Sequence, residues 1–427
     1  MPLLKNAHPT LLMNKPIEFS GPLKGLKVVD LTTVLMGPYA TQTLADMGAD
    51  VIKVEPPAGD TVRGIGPTHS PRMGHIFLHV NRNKRSIVLD LKKPEGLEAF
   101  YEIAKTADVV VYNIRPLAMR RLGITYEKLK ALNSKIIYAG IYGFSEEGPY
   151  AGRPAYDDLI QGMSAVPDLV SRSSGGEPRY VPLTLADRTV GLMAANAILA
   201  AVYSRNTTGE GQEVEIPMFE TMVQYVLSDH LSGETFVPAA GPSGYPRLLV
   251  KERKPYKTLD GYLCVLVYND RQWENFLGLI GKSEWLETDP RFKNIGARTK
   301  HINELYALVA KSMSSKTSAE WLSLLEGADI PCMPLNTIDS LLDDPHLLQT
   351  GMLETVTHPT EGQIRQIGVP VQCSKTKINH LQRPARHLGE DSIGVLRETG
   401  YTEDQIAHLK AIGATIQFQS EQIHRES

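Results

Sequence analysis

The sequence predicts an α/β protein: a doubly wound parallel sheet, followed by a smaller α+β domain. Three observations point there. Over the first 145 residues, short β-branched apolar runs alternate with amphipathic stretches, the pattern of strands paired in parallel and covered by helices on both faces. Residues are 42% hydrophobic and 22% charged, which supports a large buried core. Near residue 232 periodicity gives way to scattered glycines and prolines, and a hairpin signal follows. A length of 427 residues fits two to three domains.

The elements follow in order. Leu26–Leu31 reads as a buried strand opened by Gly25. Pro38 suits the first turn of a helix, where its missing N–H costs nothing, and Gly48 suits the stop after Met47. Val51–Glu55 is the second strand. Strand Ser86–Leu91, helix Pro94–Thr106, strand Asp108–Asn113, helix Tyr126–Leu132 and strand Lys135–Ile141 continue the alternation. From Ala186 to Arg205 runs one long helix, apolar on too many sides for a single stripe and so expected to be largely buried. Gln212–Ile216 is a strand, and a helix starts at Pro217.

Ser232–Pro246 reads as a mobile loop or linker. Tyr256–Thr258 and Tyr262–Val267 flank Asp260-Gly261, a hairpin. Helices near Gln272–Ile280, Ile302–Met313 and Ser318–Leu325, a strand at Gly351–Thr357 and a helix at Thr402–Ile412 complete the reading.

Several functions are disfavoured. A net charge of −3 gives no basic surface for nucleic acid. No window approaches 18 uninterrupted apolar residues and the N-terminus lacks a signal-peptide core, so no membrane partner and a cytoplasmic location are expected. Three cysteines without a CxxC give neither a disulfide framework nor a zinc site, and no metal is expected. A dinucleotide site would need GxGxxG after the first strand. The loop Thr32–Gly37 has one glycine, so Glu55 reads as a strand-end carboxylate rather than a ribose ligand. The helix start behind Thr32–Pro38 still favours an anion.

Asn81–Arg85 reads NRNKR, and Arg63, Lys92, Lys93, Arg115, Arg120 and Arg121 lie on loops of the same domain. Singly these are solvated loop charges. Grouped at the loops of one sheet they suit a phosphorylated ligand, which makes Lys84, Arg85, Lys92, Arg115 and Arg121 candidate binding residues.

The runs GLKVVDLTTVLMGPYATQTLADMGADVIKVEPPAGD, NRNKRSIVLDLKKPEG, ADVVVYNIRP and LGITYEKLKALN resemble the class III coenzyme A transferases of the CaiB/BaiF type. Formyl-CoA transferase belongs to that family, and α-methylacyl-CoA racemases share its fold. The resemblance spans residues 22–415 in order. It implies a homodimer of interlocked chains, each with a large Rossmann-like domain and a small domain. Here these would be an N-terminal extension (1–20), a large domain (21–225 and 345–427) and a small α+β domain (226–344). It implies no permanently bound cofactor, with CoA thioesters and a small carboxylic acid as substrates. CoA contacts carried over fall on Val34, Leu35, Leu89–Lys92, Asn113, Ile114, Arg115 and Arg121, while one basic contact falls on Pro56.

The family nucleophile falls on Asp187, in PLTLADRTVGLM. Without the resemblance Asp187 is a helix N-cap. Helix dipole and Arg188 are expected to keep it ionised. The resemblance implies CoA transfer through an aspartyl mixed anhydride and an aspartyl-CoA thioester, with succinyl-CoA a common donor among relatives. Racemases place a histidine where this chain has Tyr156, a poor proton carrier near neutrality. Tyr156 is kept as a candidate binding residue, and racemisation as the alternative. Asp157 and Asp158 read as helix-start or surface residues, with a role as catalytic neighbours the alternative, and Ser232–Pro246 reads as a candidate lid. Arg179, Arg188 and Arg247 are candidate anchors for a substrate carboxylate.

Overall fold

The computed structural model describes residues 20–378 and 383–419, so the N-terminal extension lies outside the described residues except for Ser20. The chain divides into two units: Met1–Ile160, Thr184–Met222 and Pro345–Ser427 in the first, Gln161–Leu183 and Val223–Asp344 in the second. Segment 161–183, read from sequence with the large domain, thus groups with the second unit.

The first unit is built on six parallel strands: β1 (Lys27–Asp30), β2 (Asp50–Glu55), β3 (Lys84–Val88), β4 (Val109–Tyr112), β5 (Ile137–Tyr142) and β6 (Glu213–Pro217). Their order is β3-β2-β1-β4-β5-β6. The chain reverses direction across the sheet between β1 and β4, and ligands of such sheets bind in the crevice this switch creates. Helices α1 (Met36–Asp46), α2 (His75–Val80), α3 (Pro94–Lys105), α4 (Pro116–Arg121) and α5 (Tyr126–Leu132) connect the strands. Beyond β5 come α6 (Asp157–Met163), α7 (Val166–Ser174), α8 (Leu185–Thr208) and α9 (Met218–His230).

One face of the sheet buries Val29, Ile52, Ile87, Val110 and Tyr138 against Phe100 and Ile103 of α3 and Leu129 of α5. Val395, Leu396, Ile406 and Leu409, from far along the chain, complete the same cluster. Each such side chain contributes roughly 1.5–3 kcal/mol when fully buried. The returning segment also finishes the β3 edge. Asp391 N–H donates to Ser86 O at 2.9 Å, Asp90 N–H to Ala414 O at 2.9 Å, and Thr415 Oγ1 to Val88 O at 2.7 Å. An uncovered edge would be a template for aggregation.

On the other face α8 packs against α1. Gly191 permits this, because a Cβ there would lie 2.8 Å from Met36 O and 3.0 Å from Tyr39 Cδ1. The buried stripe is Val190, Gly191, Ala194, Ala195, Ile198 and Ala201, while Leu192, Met193 and Tyr203 are exposed. The expectation of a largely buried helix is therefore not met: one stripe is buried and apolar side chains remain exposed on the rest of the helix. By length and composition α8 is also apolar enough to cross a membrane, but its buried stripe and packing on α1 are those of a core helix.

In the second unit β7 (Tyr256–Lys257), β8 (Tyr262–Val265) and β9 (Cys332–Pro334) form an antiparallel sheet. It covers a core of Trp273, Phe276 and Trp321. The Asp260-Gly261 turn closes as read from sequence, with Thr258 N–H donating to Gly261 O at 3.0 Å. Segment 232–246 is not an open linker. Gly233 N–H donates to Pro242 O at 3.3 Å, Ala240 N–H to Gly233 O at 3.0 Å and Gly244 N–H to His230 O at 2.7 Å. A Cβ on Gly233 would lie 2.4 Å from Gly241 backbone, so the scattered glycines are what lets the loop close on itself.

Candidate active site

The loop after β1 lies at the switch point and is held from below by buried charge. Lys53 Nζ donates to Thr32 O at 2.7 Å and to Asp60 Oδ2 at 3.0 Å. Asp60 Oδ1 accepts from Val34 N–H at 3.1 Å. Asn113, just past β4, accepts from Thr33 N–H at 2.9 Å and donates to Thr33 O at 2.8 Å. These ties hold Val34 at φ 69°, a left-handed conformation that is costly for a β-branched residue and that gathers at functional sites. The first loop and the β4 loop are thereby one fixed surface, bringing Val34, Leu35, Asn113, Ile114 and Arg115 together.

Asp187 sits in the first turn of α8, whose side of contact is the start of α1, directly behind that loop. It is not the N-cap. Its backbone N–H donates to Asp157 Oδ1 at 3.0 Å, so a buried carboxylate from the start of α6 does the capping. The carboxylate of Asp187 is left without a hydrogen bond or ion pair among the described residues, though partly buried. Burial, then the neighbouring Asp157 charge, push its pKa up to about 7, with Arg188 opposing. Against the expectation of a firmly ionised aspartate, desolvation and the Asp157 charge outweigh Arg188. Asp157, read from sequence as a helix-start residue, belongs to the site as well. Its distance of thirty residues from Asp187 hid the pairing.

Other expected binding residues are placed differently. Lys84 Nζ has all three protons engaged, on Asp30 Oδ2 (3.0 Å), Pro38 O (2.9 Å) and Asn81 Oδ1 (2.8 Å). Arg85 grips Asp50 through Nε at 2.9 Å and reaches Glu398 at 2.6 Å. Arg82 pairs with Asp46 at 2.6 Å and Arg63 with Glu55 at 2.7 Å. The basic run is thus an interior ion-pair lattice, neither solvated nor open to a phosphate, and Lys84 and Arg85 drop out as ligands. Glu55 accepts from Arg63, Ser86 and the Asp60 backbone, a structural role as expected. The Leu89 side chain lies in the core cluster, so only its backbone can face a ligand. Lys92, Arg115 and Arg121 are exposed, and Tyr156 is 68% exposed just ahead of Asp157. A cleft of about 500 Å³ opens at the opposite end of the strands, ahead of β4 and β5, where Arg205 pairs with Asp108 and Lys105 with Glu102.

A parallel sheet with a braced switch-point loop and an unengaged, desolvated carboxylate beside it defines an α/β enzyme site. Known proteins narrow the class. The sequence pattern of CoA-transferase family III matches residues 23–392. An acyl-CoA transferase of Fusarium pseudograminearum is 36% identical over 92% of this chain and 88% of its own length. The succinyl-CoA:glutarate CoA-transferase of Mus musculus is 31% identical over 93% and 91%. The crystal structure of a CaiB/BaiF family protein from Brucella suis superposes with a TM-score of 0.74 at 32% identity, covering 89% of this chain and all of that one. The chain belongs to CoA-transferase family III and is an enzyme with CoA-transferase activity.

Proposed function

We propose that the enzyme moves CoA from an acyl-CoA donor, succinyl-CoA foremost, to a carboxylic acid acceptor, with Asp187 as covalent carrier. The observation that carries this reading is the Asp187 carboxylate itself: partly buried, engaged by no donor among the described residues, and backbone-fixed by Asp157. A carboxylate stripped of hydrogen bonds is more nucleophilic than a solvated one. A pKa of about 7 leaves a working fraction ionised at neutral pH.

In the proposed sequence an Asp187 oxygen attacks the thioester carbonyl. The C–S bond breaks, giving a mixed anhydride and CoA thiolate. The thiolate attacks the aspartyl carbonyl and releases the donor's acid, leaving aspartyl-CoA. The acceptor carboxylate attacks that thioester, and thiolate is freed again. It then attacks the acceptor's carbonyl in the new anhydride, forming the new acyl-CoA and restoring Asp187. Every intermediate is activated, so no outside energy source is needed. CoA is proposed to lie over Val34, Leu35, Asn113 and Ile114, with Arg115, Arg121 and Lys92 reaching its phosphates. Racemisation is disfavoured because Tyr156, where racemases carry a histidine, is exposed and unsuited to two-way proton transfer. The exposed apolar face of α8, with Leu192, Met193 and Tyr203, supports a homodimer.

Intact-mass analysis after mixing the enzyme with succinyl-CoA tests the reading. A CoA-sized or acyl-sized adduct on Asp187, trapped by hydroxylamine and absent from Asp187→Asn, is expected. Normal turnover by Asp187→Asn would sink it.

A further inference from the structure

Three buried arginines of the first unit are closely paired. Arg63, Arg82 and Arg85 each meet a carboxylate at 2.7 Å or less. Arg188 does not. It follows the proposed nucleophile in α8 and is partly buried, with its guanidinium carbon 4.4 Å from the centroid of the Tyr39 ring of α1. Its partners among the described residues are the Tyr39 side chain and, through charge alone, Asp187. No carboxylate forms an ion pair with it. A partly desolvated guanidinium held on an aromatic face without a counter-ion is a destabilising arrangement unless an anion arrives from outside.

A second, independent observation lies on α2. The Nδ1 atom of His79 is buried and has no hydrogen-bond partner among the described residues. His79 is close enough to Arg188 for that charge to act on it. Its backbone carbonyl is fixed to α1 by Gln42 at 2.9 Å, so the ring is carried on a rigid element. Orphaned buried nitrogens call for a partner the protein itself does not supply.

We infer that Arg188, seated on Tyr39 and assisted by His79, forms a specificity-determining subsite for the distal carboxylate of a dicarboxylic acyl group or acceptor. The inference rests on the proposed role of Asp187. Adjacency decides between anions. The Arg188 and Asp187 charges are near enough to act on each other, so an anion paired with Arg188 lies near the reacting acyl carbon rather than at the far end of CoA. The phosphates of CoA lie at the far end of the pantetheine arm. Selectivity follows, because a donor lacking the second carboxylate leaves the guanidinium unpaired in a desolvated site.

The test compares succinyl-CoA with butyryl-CoA, which matches it in chain length but lacks the charge. The readout is the ratio of their rates of adduct formation on Asp187 in the full-length enzyme. The wild type is expected to favour succinyl-CoA at least about tenfold, and Arg188→Met to reduce the ratio by roughly ten- to a hundredfold. Arg188→Lys is expected to restore part of it, an effect a purely structural role would not give. Should Arg188→Met fail to fold, His79→Ala and Tyr39→Leu carry the test, each lowering the ratio. An undiminished ratio in Arg188→Met, or in both of those variants, overturns the subsite. Equal wild-type rates with both donors also overturn it while leaving the nucleophile intact. Absence of any adduct with either donor overturns the nucleophile, and the subsite with it.

Discussion

At Asp187 the chemistry and the stability of the protein pull in opposite directions. Its carboxyl titrates near 7 in the folded chain against 3.8 ordinarily, so between those values the folded state holds a proton that the unfolded state has released. Stability from this group is therefore fully present below pH 3.8 and lost as pH rises through about 7. Asp187→Asn should melt several degrees above wild type at pH 8 and show little difference at pH 4, measured by calorimetry. Activity has the reverse dependence. It should rise with pH through a limb near 7, because the proposed nucleophile must be ionised. Asp157→Asn removes the like charge that helps raise the limb while keeping an acceptor for the Asp187 N–H. The limb is expected to move down by up to about one pH unit in the pH dependence of kcat/KM. The position of Asp187 was legible in the sequence, through its motif. Its protonation was not, since helix dipole and Arg188 are local while burial and Asp157 are brought by the fold.

Among the elements, the contact of α8 with α1 sets the distance between Asp187, the proposed nucleophile, and the first loop. Gly191→Val would drive a branched side chain into Met36 O and Tyr39. A loss of about 1–3 kcal/mol is expected, with kcat falling further than the melting temperature alone would suggest, because Asp187 rides on the displaced helix. Thermal melts run beside steady-state kinetics would check this. The strands and long helices were readable because their apolar runs have the right lengths. Lys84 and Arg85 show where reading stops: charges at a strand's start look like a loop, and only Asp30, Asp50 and Glu398, far apart in sequence, draw them into β3. Segment 232–246 failed for a related reason, since glycines spaced eight apart reveal nothing until Gly233 meets Gly241.

Across the sheet of the first unit, Lys53, Arg63, Arg82, Lys84 and Arg85 are each buried against a carboxylate. Burial alone would raise the Glu55 carboxyl, but the charge and hydrogen bonds of Arg63 bring it down to about 2. That pair stabilises the fold above the ordinary 4.5 and loses its contribution as pH falls toward 2. Arg63→Met leaves Glu55 charged and buried. A loss of about 3–5 kcal/mol in urea unfolding at pH 7 is expected, with the midpoint of acid unfolding moved to higher pH. An unchanged urea midpoint would show the lattice to be dispensable.

The way residues 389–415 close the edge at β3 bears on how the protein is made. Val395, Leu396, Ile406 and Leu409 leave the ribosome some three hundred residues after the strands whose face they help to cover. Nascent chains must therefore carry an unfinished apolar surface until that segment has been made, a long exposure for so non-local a topology. A stop codon at Ser392 should yield insoluble protein rather than a shortened enzyme.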